Sequence, residues 1–255
     1  MTERELAIDL NADLGEGAPD DEALLRIVTS CSIACGGHAG DPESMRRTLL
    51  AAREHGVVAG AHPSYPDREG FGRRSGLLTA GELREPLVRQ LTALREIAER
   101  EAVPLAHVKP HGALYNDAAA DSELADAVCD AVIAAAPGLA LLGLPASRLE
   151  ASARQRGMRY CREGFVDRAY TARGTLASRS EQGAVYADPA RAAAQALSLA
   201  LEGQVLAASG ETVTIAVDTL CIHGDSPGAV DMALAVRAAL RDAGVRLRAP
   251  GSSVG

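Results

Sequence analysis

The stretch HVKPHGALYND, His107 to Asp117, contains the only lysine of a 255-residue chain that otherwise uses arginine for its basic side chains. His107, Lys109 and His111 stand at i, i+2 and i+4. In an extended strand these three point one way, while Val108 and Pro110 point the other. A helix would also bring His107 and His111 to one face, but Pro110 argues against a helix interior. The spacing therefore predicts a strand that delivers three polar side chains to its interior or its exit. A buried lysine is costly without a carboxylate partner, and Asp9, Asp13 and Asp218 are the candidates. The plainer alternative is three buried, hydrogen-bonded groups that tie the fold together.

Other segments carry similar chemistry. IDLNADLGEG (8–17) alternates Asp9, Asn11 and Asp13 onto one face and continues to Glu16. Carboxylates gathered there could hold a metal or divide acid and base roles; otherwise they are turn-formers before a helix. SIACGGHAGDP (32–42) places Gly36-Gly37 where backbone must approach something closely, followed by His38. Its Asp41-Pro42 helix start offers N–H groups that suit an anion. GAHPSYPDREGFGRR (60–74) ends a strand at His62 and continues into a loop with Arg68, Arg73 and Arg74. EGFVDRAYTARGTLASRSEQGA (163–184) is the longest non-periodic stretch. It starts at Glu163, passes Asp167, and with Arg162 just before it carries Arg168, Tyr170, Arg173 and Arg179, which suits a flap that recognises a carboxylate or phosphate. CIHGDSPGA (221–229) ends with His223 and Asp225 before another helix. G-x-x-x-x-G-K-[ST], G-x-G-x-x-G and G-x-S-x-G are all missing. The single lysine cannot supply a phosphate loop.

These residues need a frame to hold them. Short apolar runs alternate with amphipathic stretches: strands over 6–10, 31–35, 57–62, 104–109, 139–144, 159–165 and the later half of 212–224. Helices are expected over 20–30, 42–55, 79–101, 121–136, 147–157, 188–203 and 227–244. Asp41 reads as an N-cap and Thr79 to Glu82 as a capping box, with Pro86 kinking the helix or marking its true start. Repeated β/α units with apolar strands imply a parallel sheet covered on both faces. An open doubly wound sheet would concentrate its site at a switch point, and a barrel gathers all strand ends at one mouth. Polar signatures follow nearly every strand here, which favours the barrel; the fifth strand, ending GLP, is the exception.

Composition bounds the rest. The chain is 47% hydrophobic with 3% aromatics and no Trp, so its core is built from Ala, Val, Leu and Ile. A single domain over 1–255 is expected, with a frayed tail at 249–255. The net charge of −8 argues against a nucleic-acid partner. No apolar run reaches membrane-span length, which points to a soluble, cytoplasmic protein without a membrane partner. Five cysteines (31, 35, 129, 161, 221) form no CxxC pair and read as buried thiols, with no zinc role for Cys31 and Cys35.

Together IDLNADLGEG, IACGGHAGDP, GAHPSYPDREGFGRR, HVKPHGALYND, ARGTL followed by SR, and DTLCIHGD resemble the LamB/YcsF family from residue 6 to the last helix. Three places depart from its pattern: only Ala18-Pro19 separates ADLGEG from DDEALL, Gly37 stands where an aromatic is common, and Ser64 replaces a frequent Gly. The resemblance implies a distorted seven-stranded parallel β/α barrel, like glycoside hydrolase/deacetylase folds. It implies ATP-dependent opening of 5-oxoproline to L-glutamate with 5-oxoprolinase subunits B and C, the ATP being handled mainly by those partners. Homo-oligomers stay open. On this reading Asp13 or His111 acts as base, Lys109 stabilises an oxyanion or phosphate, and His62 and His223 contact substrate or move protons. Asn11, Glu16, His38, His107, Arg168 and Asp218 would help bind a small anionic substrate. Rival readings are a metal-dependent deacetylase-like or amidohydrolase-like enzyme, with Asp13, His62 and His111 around a divalent metal; a Schiff-base Lys109; and a non-catalytic protein that presents the substrate.

Overall fold

The computed structural model describes residues 6–224 and 228–250. Asp225 and the tail from 251 onward lie outside the described residues. Strand β1 (Ala7–Leu14) leads through the short helix α1 (Asp21–Leu25) to β2 (Ser30–Ala34). Helix α2 (Pro42–Glu54) brings the chain to β3 (Val58–His62), and α3 (Ala80–Arg100) to β4 (Leu105–Val108). Helices α4 (Gly112–Ala120) and α5 (Ser122–Ala135) precede β5 (Ala140–Gly143), and α6 (Arg148–Gln155) precedes β6 (Tyr160–Phe165). After a long loop come α7 (Pro189–Leu197), a π-helical turn (Ser198–Glu202), β7 (Gln204–Leu206) and β8 (Thr212–Thr214). Strand β9 (Thr219–Ile222), helix α8 (Ala229–Asp242) and strand β10 (Arg246–Leu247) complete the order.

Strands β1 to β6 and β9 pair in that order, all parallel, and β1 pairs again with β9, closing a seven-stranded barrel as expected. The circle is distorted in two places. β10 pairs with Ala7 and Ile8 of β1, before the Asp9–Ala12 stretch that pairs with β9. The register between β3 and β4 shifts at Ala59/Gly60.

Alternation along the strands sorts the side chains. Leu10, Ala12, Ile33, Ala61, Val108, Leu141 and Leu220 join one continuous apolar cluster with Leu49, Leu87, Leu91, Val128, Val132, Leu149 and Val236 of the helices. The apolar core is thus the shell between strands and helices. The barrel lumen is polar, with Asp9, Asn11, Ser30, Ser32, His107, Lys109, Glu163 and Thr219 all buried.

Several local expectations change. The helix expected over 20–30 stops at Leu25, because the Thr29 and Ser30 hydroxyls donate to Asp9 and draw that segment toward the sheet. Helix α4 follows HVKPH directly, burying Leu114, Tyr115 and Ala118 in a stretch to which the sequence pattern assigned no element. Pro86 lies inside α3, which begins at Ala80, so it marks no helix start. The first half of 212–224 forms an antiparallel pair with β7 outside the barrel. Ala249 is buried, and the rest of the tail expected to fray, from 251 onward, lies outside the described residues. No helix among the described residues is long and apolar enough to cross a membrane. All five cysteines are free thiols, four of them buried.

Candidate active site

On β4 the i, i+2, i+4 spacing sets three groups at successive depths. His107 lies inside the barrel against the Ser32 hydroxyl, 3.2 Å away. Lys109 follows just past the strand end, its N–H donating to the Ala61 carbonyl. His111 is at the mouth, its N–H donating to the Pro63 carbonyl.

The Lys109 ammonium is fully engaged. It lies 2.9 Å from Asp13 Oδ1, 2.9 Å from Glu163 Oε1 and 3.1 Å from Cys221 Sγ. Three N–H donors meet three partners. Of the carboxylates expected beside the lysine, Asp13 is there and Asp9 is held by Thr29, Ser30 and Thr219; the second partner, Glu163, on a strand two places round the barrel, was not among them. Burial alone would raise Asp13, but positive charge on His62 and Lys109 outweighs it and holds the carboxyl well below its usual range. Beneath, Asn11 donates to Glu163 and to Thr219, and Thr219 donates to Asp9 at 2.5 Å. Asn11 and His107 therefore brace the lumen and do not line the cavity. Burial, with the Lys109 charge, pushes His107 down to about 3, so it stays neutral. Asp218 is not at the mouth. It precedes β9 at the opposite end of the barrel and is held by the Arg162 guanidinium at 2.8 and 2.9 Å.

At the mouth, Glu16, His38, His62 and His111 converge, and their ligand atoms lie within 4.8 Å of one another. Glu16 follows Gly15, whose N–H donates to Asp21 in the turn after β1. The Gly36–Ala39 turn folds His38 back until its ring stacks on His111, with centroids 3.6 Å apart. Backbone carbonyls fix two of the rings. His62 Nδ1 donates to the Lys109 carbonyl at 2.7 Å, and His111 Nε2 donates to the Phe71 carbonyl at 2.9 Å. The remaining nitrogens, His62 Nε2 and His111 Nδ1, are 3.0 Å apart. In neutral rings both would be lone pairs. Asp13 Oδ2 is 3.3 Å from the first and Glu16 Oε1 3.2 Å from the second. Four acceptors so arranged require a cation among them, either a proton or a metal. The donor set, two locked imidazoles with two carboxylates, fits a divalent ion. A second metal-capable group combines Asp13, Cys221 and His223.

His223 stands just past β9, the strand beside β1; its Nδ1 donates to Asp167 at 2.8 Å while its ring stacks on Phe165. Between these groups opens a cavity of about 460 Å³, a size suited to a small ligand. Its walls include Asp13, Glu16, His62, Lys109, His111, His223 and Arg168, with Arg73, Tyr115, Asn116, Phe165 and Arg179 besides. Strand β5, the one that ends GLP, contributes nothing. Sequence reading assigned no site role to Glu163, Tyr115, Phe165 or Cys221. Strand alternation could have placed Glu163 and Phe165 inward, but nothing local could pair Glu163 with Lys109. The expected anion site at Asp41-Pro42 is occupied by the Asp41 carboxylate itself, which accepts from Ser44 N–H. The departures at Gly37 and Ser64 touch: a Cβ on Gly37 would collide with Ser64 Oγ and Gln90 Oε1.

The LamB/YcsF family model matches residues 8–254. The chain is 47% identical to the 5-oxoprolinase A subunit of Symbiobacterium thermophilum, over 96% of both chains. It is 49% identical to that of Streptomyces coelicolor, over 95% of this chain and 99% of the other. Among solved structures, a lactam utilization protein from Thermus thermophilus superposes with a TM-score of 0.89 at 44% identity, over 96% of this chain and 100% of that one. A family 4 carbohydrate esterase from Streptomyces lividans, at 10% identity and a TM-score of 0.52 over 95% and 91% of the two chains, shares the fold alone.

Proposed function

The chain belongs to the LamB/YcsF family, and from that premise we propose that it is the A subunit of an ATP-dependent 5-oxoprolinase. It opens the cyclic amide of 5-oxo-L-proline to L-glutamate in the cytoplasm, with partner subunits B and C handling the ATP. The observation that carries this reading is the cavity at the barrel mouth, where buried carboxylates and imidazoles surround a space for a small ring. Five unpaired thiols suit a reducing compartment.

Ring opening adds water across the C5–N bond: oxygen goes to C5, and the ring nitrogen leaves as an amine after taking a proton. Phosphate activation of the lactam oxygen by the partners would make C5 open to attack; loss of the ring nitrogen then leaves an acyl phosphate at C5, and a second water releases inorganic phosphate to give glutamate. We assign the water-derived proton to the Glu16/His111/His62 group, with Asp13 supporting His62. We assign protonation of the leaving nitrogen to His223, whose Nδ1 donates to Asp167. Lys109 has no free donor for an oxyanion and takes a positioning role, holding Asp13 and Glu163. That saturation also removes support for a Schiff-base lysine, since an ion-paired ammonium is a poor nucleophile. Reconstitution tests the proposal. Partners B and C with this chain should release glutamate in an ATP-dependent way, and Glu16→Gln or His111→Gln should lower kcat at least ~100-fold. If the partners alone open the ring at the full rate, the chain only presents substrate.

The locked tautomers of His62 and His111 favour a second reading, in which Asp13, Glu16, His62 and His111 hold a divalent ion. When bound, such an ion would polarise the lactam carbonyl. Equilibrium dialysis of the isolated chain against Zn²⁺, Mn²⁺ or Co²⁺ should then give one bound ion per chain, lost in His62→Ala. No retained ion in the wild type leaves a shared proton as the cation.

A further inference from the structure

The reacting end of the cavity is hostile to a second anion. The carboxyl groups of Asp13 and Glu16 line it, and Lys109 is already shared between Asp13 and Glu163. The substrate proposed above carries a carboxylate on the ring carbon across the nitrogen from the scissile carbonyl. Placed beside Asp13 and Glu16, it would meet like charge in a poorly solvated site. It must therefore face another wall.

That wall is the long loop after β6, and it is built. Ala169 N–H donates to the Ala184 carbonyl and Ala177 N–H to the Ala169 carbonyl, both at 2.9 Å. Ala169, Ala177, Ala184 and Tyr186 bury one another in a small cluster of their own. The Arg168 guanidinium stitches the two sides of the loop, donating to the Ala177 carbonyl at 2.6 Å and the Ala184 carbonyl at 3.4 Å. It is buried although it lines the cavity. Arg179 follows Ala177 by two residues and also lines the cavity. Its charge reaches Asp167, the carboxylate that fixes His223. The loop thus carries a guanidinium on a braced backbone to the cavity wall, near Asp167 and His223.

We infer that Arg179 binds the substrate carboxylate, with Arg168 as the positioning residue that sets the loop carrying it. The inference rests on the 5-oxoprolinase reading and deepens it: the site selects lactams that bear a carboxylate. Charge-assisted hydrogen bonds of this kind make Arg179 a determinant of binding, separate from the proton-transfer groups.

The test uses the three-subunit complex. R179A should raise KM for 5-oxoproline about 10- to 100-fold and leave kcat within about threefold. R179K should recover part of the loss. With 2-pyrrolidinone, the same ring without the carboxylate, wild type and R179A should share one low kcat/KM. R168A should raise KM as well and in addition open the 171–186 loop to limited proteolysis, which R179A should not. An unchanged KM in R179A, a collapse of kcat at unchanged KM, or an equal loss on 2-pyrrolidinone overturns the inference. A wild-type complex that releases no glutamate removes the activity reading and the inference with it. A working wild type with an unmoved R179A removes only the inference.

Discussion

At the scale of single residues, Lys109 and His107 separate holding from reacting. Lys109→Ala leaves Asp13 and Glu163 buried without their cation, and breaking a buried pair in this way costs about 3–5 kcal/mol. We expect a large drop in the denaturant midpoint together with loss of glutamate release. A Lys109→Ala chain of wild-type stability that still supports turnover would remove the lysine from both roles. His107 makes a pH prediction. In the unfolded chain it charges below its ordinary value near 6.5, while in the fold burial keeps it neutral down to about 3. Between those values the unfolded state binds more protons, so the His107 contribution to stability is lost as pH falls through that window. Asp9 acts oppositely: burial raises it to about 6, so its part of the stability fades as pH rises from about 4 to 6. Comparing wild type with His107→Gln in urea across pH 3–7 cancels Asp9, which both share. The variant should gain on the wild type steadily as pH falls, and a pH-independent difference would contradict this assignment. The sequence made the three polar groups of HVKPH legible as one face. It could not divide them by depth, because depth depends on how strands from elsewhere in the chain close the barrel.

At the scale of elements, β3 and β4 show why backbone and site are specified together. The His107 ring lies over Gly60, where any Cβ would collide with it, and the strand register slips at this point. Gly60→Ala should therefore destabilise the fold by about 1–3 kcal/mol, read as a lowered urea midpoint. A neutral substitution would mean the ring can move aside. The strand reading of 57–62 predicted the element but not this contact, since strand pattern carries no information about the ring on the next strand. Helix α4 escaped for a different reason. GALYNDAAA has too few charged positions to show a helical face, yet it sits where Lys109 and His111 need a firm continuation. The caps of α2 and α3, by contrast, lie within a few residues of sequence and formed as read.

At the scale of the whole molecule, seven β/α repeats were enough to favour a barrel, because polar strand ends spread evenly around the chain can only converge if the sheet closes. The two-residue strand β10 was invisible to pattern, being shorter than any period. The missing phosphate loop makes a prediction at this scale. The isolated chain should bind 5-oxoproline yet hydrolyse no ATP, with nucleotide turnover appearing only when B and C are added. ATP hydrolysis by the chain alone would contradict the proposed division of labour. The pairing of β10 with the first residues of β1 has a practical consequence. It brings the two outermost described stretches of the chain side by side at the floor of the barrel, opposite the cavity. A tether attached at Ala7 or Arg246 would leave the open mouth facing solution, and a short linker from Leu247 back to Ala7 should permit the chain to be cut elsewhere.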